Sequence, residues 1–574
     1  MPSRLGTYAS AVRGTVGVLL RWVRSVPWLT AGLGLAGVTV FVWLTLRDMR
    51  LLGGDGMVEE QLRFARRPEE RWVMMEEFFS RHMGLGTLLL LPALLAALVR
   101  LRGRELVLPL TLAGIWVALV WVGGDFLGNW EKVLYDPMGM DTRPGPYYAK
   151  LGLMGLLALS PPLLLMLYYG GSIMDRYVVR NFAVPFFLCV GGISGIMITM
   201  DLLNHANDFV EVKFRPWEVL VFYLRQLPHI LTTIVEPALL LATLYALGKM
   251  SRHNELVAMI TAGRSVVRVI LPLLVAGLWC SLVVLALNFE MAPQAQRIQE
   301  QMLKDARDAA SGKSKKKSNA AESDQTSTYN VLYRNREEHR TWYFWRVNLT
   351  PRAAGRFTEV WLLQQDADGL LERAIFARNA AWNPETKVWG FFQAWDYEFL
   401  AGEGKERLER PRRLYKEVIE IADPVWPETP GTILSNRLDP EHLGVPELES
   451  WLRTNAALPE ASRAKFAVAR HWRLALPFRC FLMVLIAAPL GIVASRRNML
   501  AGVSAAVGLF IAAFFLSTLV LKAGEGAYVP AGLAAWAING VSAVVGAVIL
   551  YYRSKNRPMP SLNPFKWLSR PSVR

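Results

Sequence analysis

The chain has 574 residues, of which 53% are hydrophobic, yet it carries a formal net charge of +16. That pairing fits a multi-span membrane protein with basic loops, whereas a nucleic-acid binder would interleave Lys and Arg with aromatics in a polar domain. Cys189, Cys280 and Cys480 each lie in or beside an apolar run, which excludes a disulfide framework or a zinc spacing and leaves them as small buried apolar residues.

In chain order, a basic N-terminus (Arg4, Arg13, Arg21, Arg24) leads into an apolar run from Pro27 to Leu46. At roughly twenty residues it is long enough to cross a bilayer and longer than a signal-peptide core, and it reads as an uncleaved span. Further runs fall at Gly84–Val99, Leu106–Gly123, Leu151–Tyr169, Phe182–Leu203, Leu227–Leu247, Val269–Asn288, Leu474–Ala494, Ala501–Leu521 and Ala531–Tyr551. The expectation is a polytopic α-helical membrane protein with about ten spans. Lys and Arg gather in alternate short loops: Arg100, Arg102 and Arg104; Arg176 and Arg180; Lys249, Arg252, Arg264 and Arg268; Arg496 and Arg497; and the tail from Arg553. Positive charge stays on the cytoplasmic side, so both termini are expected in the cytoplasm.

Between the seventh and eighth runs, Phe289 to Arg473 is soluble in character and falls on the opposite side. It opens with helical character, passes through the charged linker SGKSKKKSNAAESDQTST, which cannot bury a core, and then turns strand-like. TWYFWRVNL, FTEVWLLQQ, RAIFARNAAW, KVWGFFQAWDYEF and YKEVIEI alternate and are punctuated by turn signals such as Asp368-Gly369 and Asn383-Pro384. Such strands predict an antiparallel sandwich or an open roll. From Asp423 to Arg473 the pattern is helical again.

The segment Gly248–Arg268 lies between two apolar runs, too polar to span and too patterned to be only a turn. Leu256, Met259 and Ile260 recur at helical spacing, with Asn254 and Glu255 placed to start a helix. Glu255 has two readings. It is a first-turn carboxylate favoured by the helix dipole, or an acidic contact offered to a separate motor subunit. No phosphate-cradling loop exists to make this chain its own motor, since Gly312-Lys313-Ser314 lacks the earlier glycine, Arg307 standing there. Glu236, beside Pro237, is the one ionisable residue expected deep in a span. It either serves a relay or faces an internal cavity or partner helix.

From Asp175 to Tyr551 the chain resembles the LptF/LptG (YjgP/YjgQ-type) family of lipopolysaccharide-export permeases. The resemblance rests on Met174-Asp175-Arg176-Tyr177-Val178-Val179-Arg180, Tyr223-Leu224-Arg225-Gln226-Leu227-Pro228 and Asn254-Glu255-Leu256-Val257-Ala258-Met259 followed by Ala262-Gly263-Arg264-Ser265. It continues through Asn288-Phe289-Glu290-Met291-Ala292-Pro293, Arg473-Leu474-Ala475-Leu476-Pro477, Ala488-Pro489-Leu490-Gly491 and Val529-Pro530 with Ala534-Ala535-Trp536.

The resemblance implies a non-catalytic permease half of an ABC exporter. It implies a β-jellyroll-like periplasmic domain between the third and fourth core spans. Asn254, Glu255, Leu256, Met259, Gly263 and Arg264 would then form the ATPase-coupling segment, near 250–265. ATP would be used by a separate ATPase dimer, with no cofactor bound by this chain. Other implied partners are lipopolysaccharide or a related glycolipid, a second permease of this type or the chain itself, and periplasmic bridge proteins, in the inner membrane. Where some members carry lysines, this chain has Asn204 and His205, with Lys213 and Arg215 nearby as head-group candidates. The expected organisation is an extra N-terminal region of about four spans (1–171), core spans one to three (172–288), a helix and linker (289–328), the β domain (329–425), a helical return (426–473), spans four to six (474–552) and a basic tail (553–574). Secondary transporters, channels and a scaffold with a protein-binding β domain are the alternatives from other classes.

Overall fold

A computed structural model describes residues 103–310 and 327–555 with short gaps, together with scattered residues before 103. The expected span Pro27–Leu46 falls almost wholly outside the described residues, as do much of Gly84–Val99, the linker 311–326 and the tail beyond 555. Among the described residues seven helices are long and apolar enough to cross a membrane, or eight if one bent pair counts as a span.

The chain divides into two compact units, one holding residues up to Leu134 with Tyr147–Tyr177, the other Tyr135–Pro146 with Val178–Arg574. In the first, α1 (Val107–Tyr135) follows a short 3-10 turn, and α2 (Pro144–Ala158) and α3 (Ser160–Gly170) come next. The expected single span Leu151–Tyr169 is instead these two helices, bent by 53° at their junction. Pro161 and Pro162 explain the break: neither has an N–H, so carbonyls of the preceding turn lose their helical donors.

The second unit contains α4 (Ile173–Asn204), a short α5 (Ala206–Glu211), α6 (Pro216–Arg252), α7 (Glu255–Thr261) and α8 (Val266–Ala286). A π-helical turn, Leu287–Met291, joins α8 to α9 (Ala292–Ala310). After the strands come α10 (Pro430–Ser435), α11 (Val445–Thr454), α12 (Glu460–Gly491), α13 (Met499–Glu525) and α14 (Ala531–Ser554). Helix α12 is the hub and packs against α6, α8, α13 and α14. Close approach at α8 depends on Gly277, where a Cβ would stand 2.9 Å from the Val484 side chain.

The strands are β1 (Ser327–Asn335), β2 (Arg340–Asn348), β3 (Arg356–Gln365), β4 (Leu371–Asn383), β5 (Val388–Ala401) and β6 (Glu406–Ala422). They form one antiparallel sheet in the order β1-β2-β3-β4-β5-β6. This corrects the jellyroll-like expectation in its topology: no strand crosses over among the described residues, whereas a two-sheet jelly roll needs such crossings. The sheet nevertheless curls. Trp342 on β2 and Trp389 on β5 have ring centroids 5.0 Å apart, although three strand spacings in a flat sheet amount to about 14 Å. The open roll, not the sandwich, is the form observed.

The roll's core extends past both expected boundaries. Its first strand begins at Ser327, and Trp426 and Ile433 lie in the core beside Trp342, Trp389 and Phe391. Glu428 fastens that incoming segment: its carboxylate accepts from Arg340 Nη1 at 2.7 Å and Asn335 Nδ2 at 2.9 Å, and its carbonyl accepts from Trp389 Nε1 at 2.7 Å. A buried ion pair of this kind holds position only while both partners and their hydrogen bonds are present.

Candidate functional site

Two features of the second unit bear on function: an elbow between α6 and α8, and a line of polar groups inside the helices. At the elbow, α6 ends at Arg252 and the chain reverses through Asn254, whose φ of 59° is left-handed. Asn is among the few L residues that tolerate this. Glu255 then occupies the first turn of α7. The helix stops in a Schellman arrangement: Gly263 N–H donates to Ile260 O at 3.0 Å and Arg264 N–H to Met259 O at 3.2 Å. Gly263 has φ +89°, a conformation that excludes most side chains. Ser265 starts α8, its Oγ accepting from Arg268 N–H at 3.3 Å.

The faces of α7 differ from the expectation. Leu256 and Met259, placed in the coupling segment by the resemblance, are buried in a core shared with Val178 and Phe182 of α4, Leu239 and Met250 of α6, Leu273 of α8 and Val484 of α12. They anchor the elbow. The outward face carries Val257 and Ile260, 44% and 38% exposed, with Ala258 and Thr261 also exposed. Ile260 shares helical spacing with Leu256, and only the packing reveals that it lies beyond the edge of the buried stripe. Glu255 and Arg264 are half-buried at its two ends.

Inside the helices, Glu236 is not the only deep ionisable group. Arg479 of α12 is buried against it, with Nε 3.0 Å and Nη2 2.9 Å from Glu236 Oε1, and Nη1 donates to Ser517 Oγ of α13 at 3.3 Å. The run Leu474–Ala494 absorbed one arginine without losing its apolar character, so Arg479 passed unremarked. Two oppositely charged residues in separate apolar runs were the available signal, because an intramembrane charge requires a partner. The same helix is bonded around Pro477. That proline has no N–H to offer Arg473 O, and Asn288 of the π-helical turn fills the vacancy by donating Nδ2 to Arg473 O at 2.9 Å. Arg473 Nη1 returns a bond to Asn288 Oδ1 at 3.1 Å. Asn539 of α14 donates to Ala475 O at 2.8 Å, and Ser281 Oγ of α8 accepts from Phe481 N–H at 3.0 Å. Helices α8, α13 and α14 and the π-helical turn are thus each joined to α12 by polar groups within one stretch.

Of the four head-group candidates, Asn204 is exposed at the end of α4. His205 Nδ1 stands 3.4 Å from Asp201 Oδ1, while Tyr223 O–H donates to Asp201 Oδ2 at 3.0 Å. Arg215 is exposed and starts α6, its backbone N–H bonded to Glu218 Oε2 at 2.8 Å. Lys213 lies outside the described residues. Among the described residues, His205 and Tyr223 thus share Asp201 as a partner.

The sequence profile described as "Lipopolysaccharide export system permease LptF/LptG" matches residues 176–553. The chain belongs to the LptF/LptG family. No curated protein matches it. Family membership makes the chain a multi-pass inner-membrane permease component of lipopolysaccharide export, a transporter part and not a catalytic one. The match runs from α4 to α14 and takes in the elbow, the polar line and the roll; residues 1–175 lie outside it.

One further feature of this LptF/LptG permease escaped the sequence. A cavity of about 840 Å³ opens where α12 and α13 meet the short 3-10 turn Pro440–His442 and α11. Lys465, Arg473, Lys522, Asp439, Glu441 and Glu525 supply its charged lining, and Trp451 and Phe466 part of its apolar wall. Lys522 is paired with Glu525 at 2.8 Å. These groups come from several separate stretches of chain, so no local pattern announces them.

Proposed function

We propose that this LptF/LptG permease is one half of an ABC exporter that draws a glycolipid from the inner membrane and passes it to a periplasmic bridge. A separate ATPase dimer docks on α7, and a second permease of the same type, or a second copy of this chain, completes the lipid cavity. Both termini lie in the cytoplasm and the roll in the periplasm. The single observation that carries the reading is the construction of α7. Leu256 and Met259 root it in the core with α4, α6, α8 and α12, while Val257 and Ile260 stand exposed beside Glu255. A short helix anchored on one face and open on the other passes a push directly into the spans it is packed against.

Helices α4 and α13 line the cavity on this reading. Both expose long apolar and aromatic side chains, among them Phe187 and Leu188 of α4 and Phe515 and Leu519 of α13, which suit acyl chains. Asn204, His205, Lys213 and Arg215 are proposed to meet the phosphorylated head group.

Co-purification tests the proposal. The expected result is a stoichiometric nucleotide-binding subunit that is lost on Glu255→Arg or Ile260→Asp while the permease remains folded in the membrane. A purified membrane complex with no such subunit removes the ABC assignment.

A further inference from the structure

The outer face of the roll carries a row that the export reading does not use. One register position in all six strands is occupied in turn by Leu332, Tyr343, Trp361, Phe376, Trp395 and Tyr415, each paired with the next. Five of the six are aromatic. They lie on the face opposite the roll's core, with Trp361 41% and Tyr415 54% exposed. Six strands at about 4.8 Å spacing make this a stripe roughly 24 Å long. Neighbouring rings already hold one another: Trp361 and Phe376 centroids are 4.6 Å apart, and Trp395 and Tyr415 4.9 Å. The Arg413 guanidinium carbon lies over the Trp395 ring, 3.7 Å from its centroid.

Beside the stripe runs a crease. Strands β2 to β5 each place two successive residues outward there, and they do so in step, so the pairing register is unchanged. In β3 and β5 the crease passes through Glu359 (φ 52°) and Gln393 (φ 53°), left-handed conformations that non-glycine residues rarely adopt. Two residues along each strand from Trp361, Phe376 and Trp395 stand Glu359, Arg378 and Gln393, all exposed. Aromatic faces are thus flanked by hydrogen-bond donors and acceptors at matching intervals.

We propose that this stripe binds the saccharide portion of the exported glycolipid, the exposed rings of Trp361 and Tyr415 stacking on the apolar C–H faces of its sugars while Glu359, Arg378, Gln393 and Arg413 bond its hydroxyl and acidic groups. The inference rests on the glycolipid-export reading. Trp, Tyr and Arg are common to protein-binding and saccharide-binding faces, but Glu is depleted from protein interfaces, and the exposed Glu359 two residues from Trp361 favours the saccharide. A row of preorganised rings with polar groups alongside suits a chain of pyranoses, which presents both kinds of surface at once.

The test uses the chain with its co-purifying permease partner in nanodiscs and three probes: intact lipopolysaccharide, its deacylated oligosaccharide, and its lipid anchor stripped of outer sugars. Wild type is expected to bind all three. Trp361→Ala with Tyr415→Ala is expected to weaken oligosaccharide binding by about tenfold or more, the scale of two lost ring contacts, and to leave the lipid anchor unaffected. Trp361→Phe, which keeps a ring, should retain binding and shows that the roll tolerates change at this position. Intact lipopolysaccharide binding without any oligosaccharide binding, or equal oligosaccharide binding by wild type and the double variant, overturns the stripe while export stands. Failure to bind intact lipopolysaccharide or its anchor removes the export reading and the stripe with it. A co-purifying periplasmic protein lost in the double variant, with oligosaccharide binding unchanged, makes the face a protein surface instead.

Discussion

Helices α6 and α12 and helices α4 and α13 are all long and apolar enough to span a bilayer, yet they occupy opposite environments. The first pair is largely buried within the chain; the second is almost wholly exposed. Apolarity does not distinguish them, which is the expected result in a solvent as apolar as the side chains themselves. Small residues do not separate them either, since α4 carries Gly191, Gly192 and Gly195 and α13 carries Gly508; what does is a buried ion pair between the two helices of the first pair. Helix α12 carries Arg479, Pro477, Ala487, Ala488 and Gly491, all buried, and α6 carries Glu236, Thr243 and Gly248. The exposed pair turns outward Phe187, Leu188, Phe514 and Phe515. Burial in this permease follows where helices are bonded to one another, and small residues by themselves do not bring a helix inside.

The sharpest way to break this comparison is to remove one charge from the buried pair. Arg479→Met leaves Glu236 without its partner and is expected to destabilise the bundle by about 3–5 kcal/mol, read as a lower unfolding midpoint in detergent. Replacing both, as Glu236→Leu with Arg479→Met, should recover most of that loss. If the single variant melts like wild type, the pair is not a structural tie. The two faces of α7 provide the next test. Leu256→Ala should cost about 2–5 kcal/mol by opening a cavity, and Ile260→Ala less than about 0.5 kcal/mol. Equal losses would show that both faces are packed. Glycine positions sharpen the comparison further. Gly277→Val, against Val484, should cost about 1–3 kcal/mol by overpacking. Gly191→Ala in α4, where a Cβ meets nothing within 4 Å, should leave the melting of the single chain unchanged. A marked effect of Gly191→Ala only in the assembled transporter would identify α4 as a contact between subunits.

Acid should act on the roll at a defined point. Asp396 is fully buried in the roll, where burial alone would raise its pKa; its bond to Arg373 at 2.7 Å and the charges of Arg373 and Lys416 outweigh that and hold the carboxyl below its ordinary range. A carboxyl lowered in the folded state contributes stability above its unfolded pKa of about 3.9 and loses it as pH falls through the folded value. The roll should therefore keep this contribution at mildly acidic pH and lose it only below the ordinary Asp range. Asp396→Asn should flatten that part of the profile, measured by tryptophan fluorescence.

Much of the architecture was legible because it rests on repetition. Apolar stretches of span length gave the membrane helices of the second unit close to their observed positions, since a backbone in lipid must satisfy its own hydrogen bonds as helix. Alternation gave five of the six strands. It could not give the crease, because Glu359 and Gln393 break the period of two in step with their neighbours, and register is a property of pairs of strands. The bend at Pro161 and Pro162 was visible as residues but not as an angle. At the elbow, Asn254, Glu255 and the helix after them followed from local chemistry, whereas Gly263 entered only with the family resemblance. Which of the helix's apolar residues are anchors followed from neither.

The amino-acid sequence by itself determined the class of the molecule, the apolar helices of its second unit, the inserted β domain, the elbow and the family. Each of these follows from forces acting along a few neighbouring residues: transfer to lipid, alternation, capping, backbone freedom. Only the tertiary structure decided that Arg479 answers Glu236 across 243 positions, that Leu256 turns inward while Ile260 stays open, and that five aromatic side chains fall into one line across the roll. Those outcomes depend on which helices and strands become neighbours, and close packing and hydrogen bonding select neighbours without regard to distance along the chain.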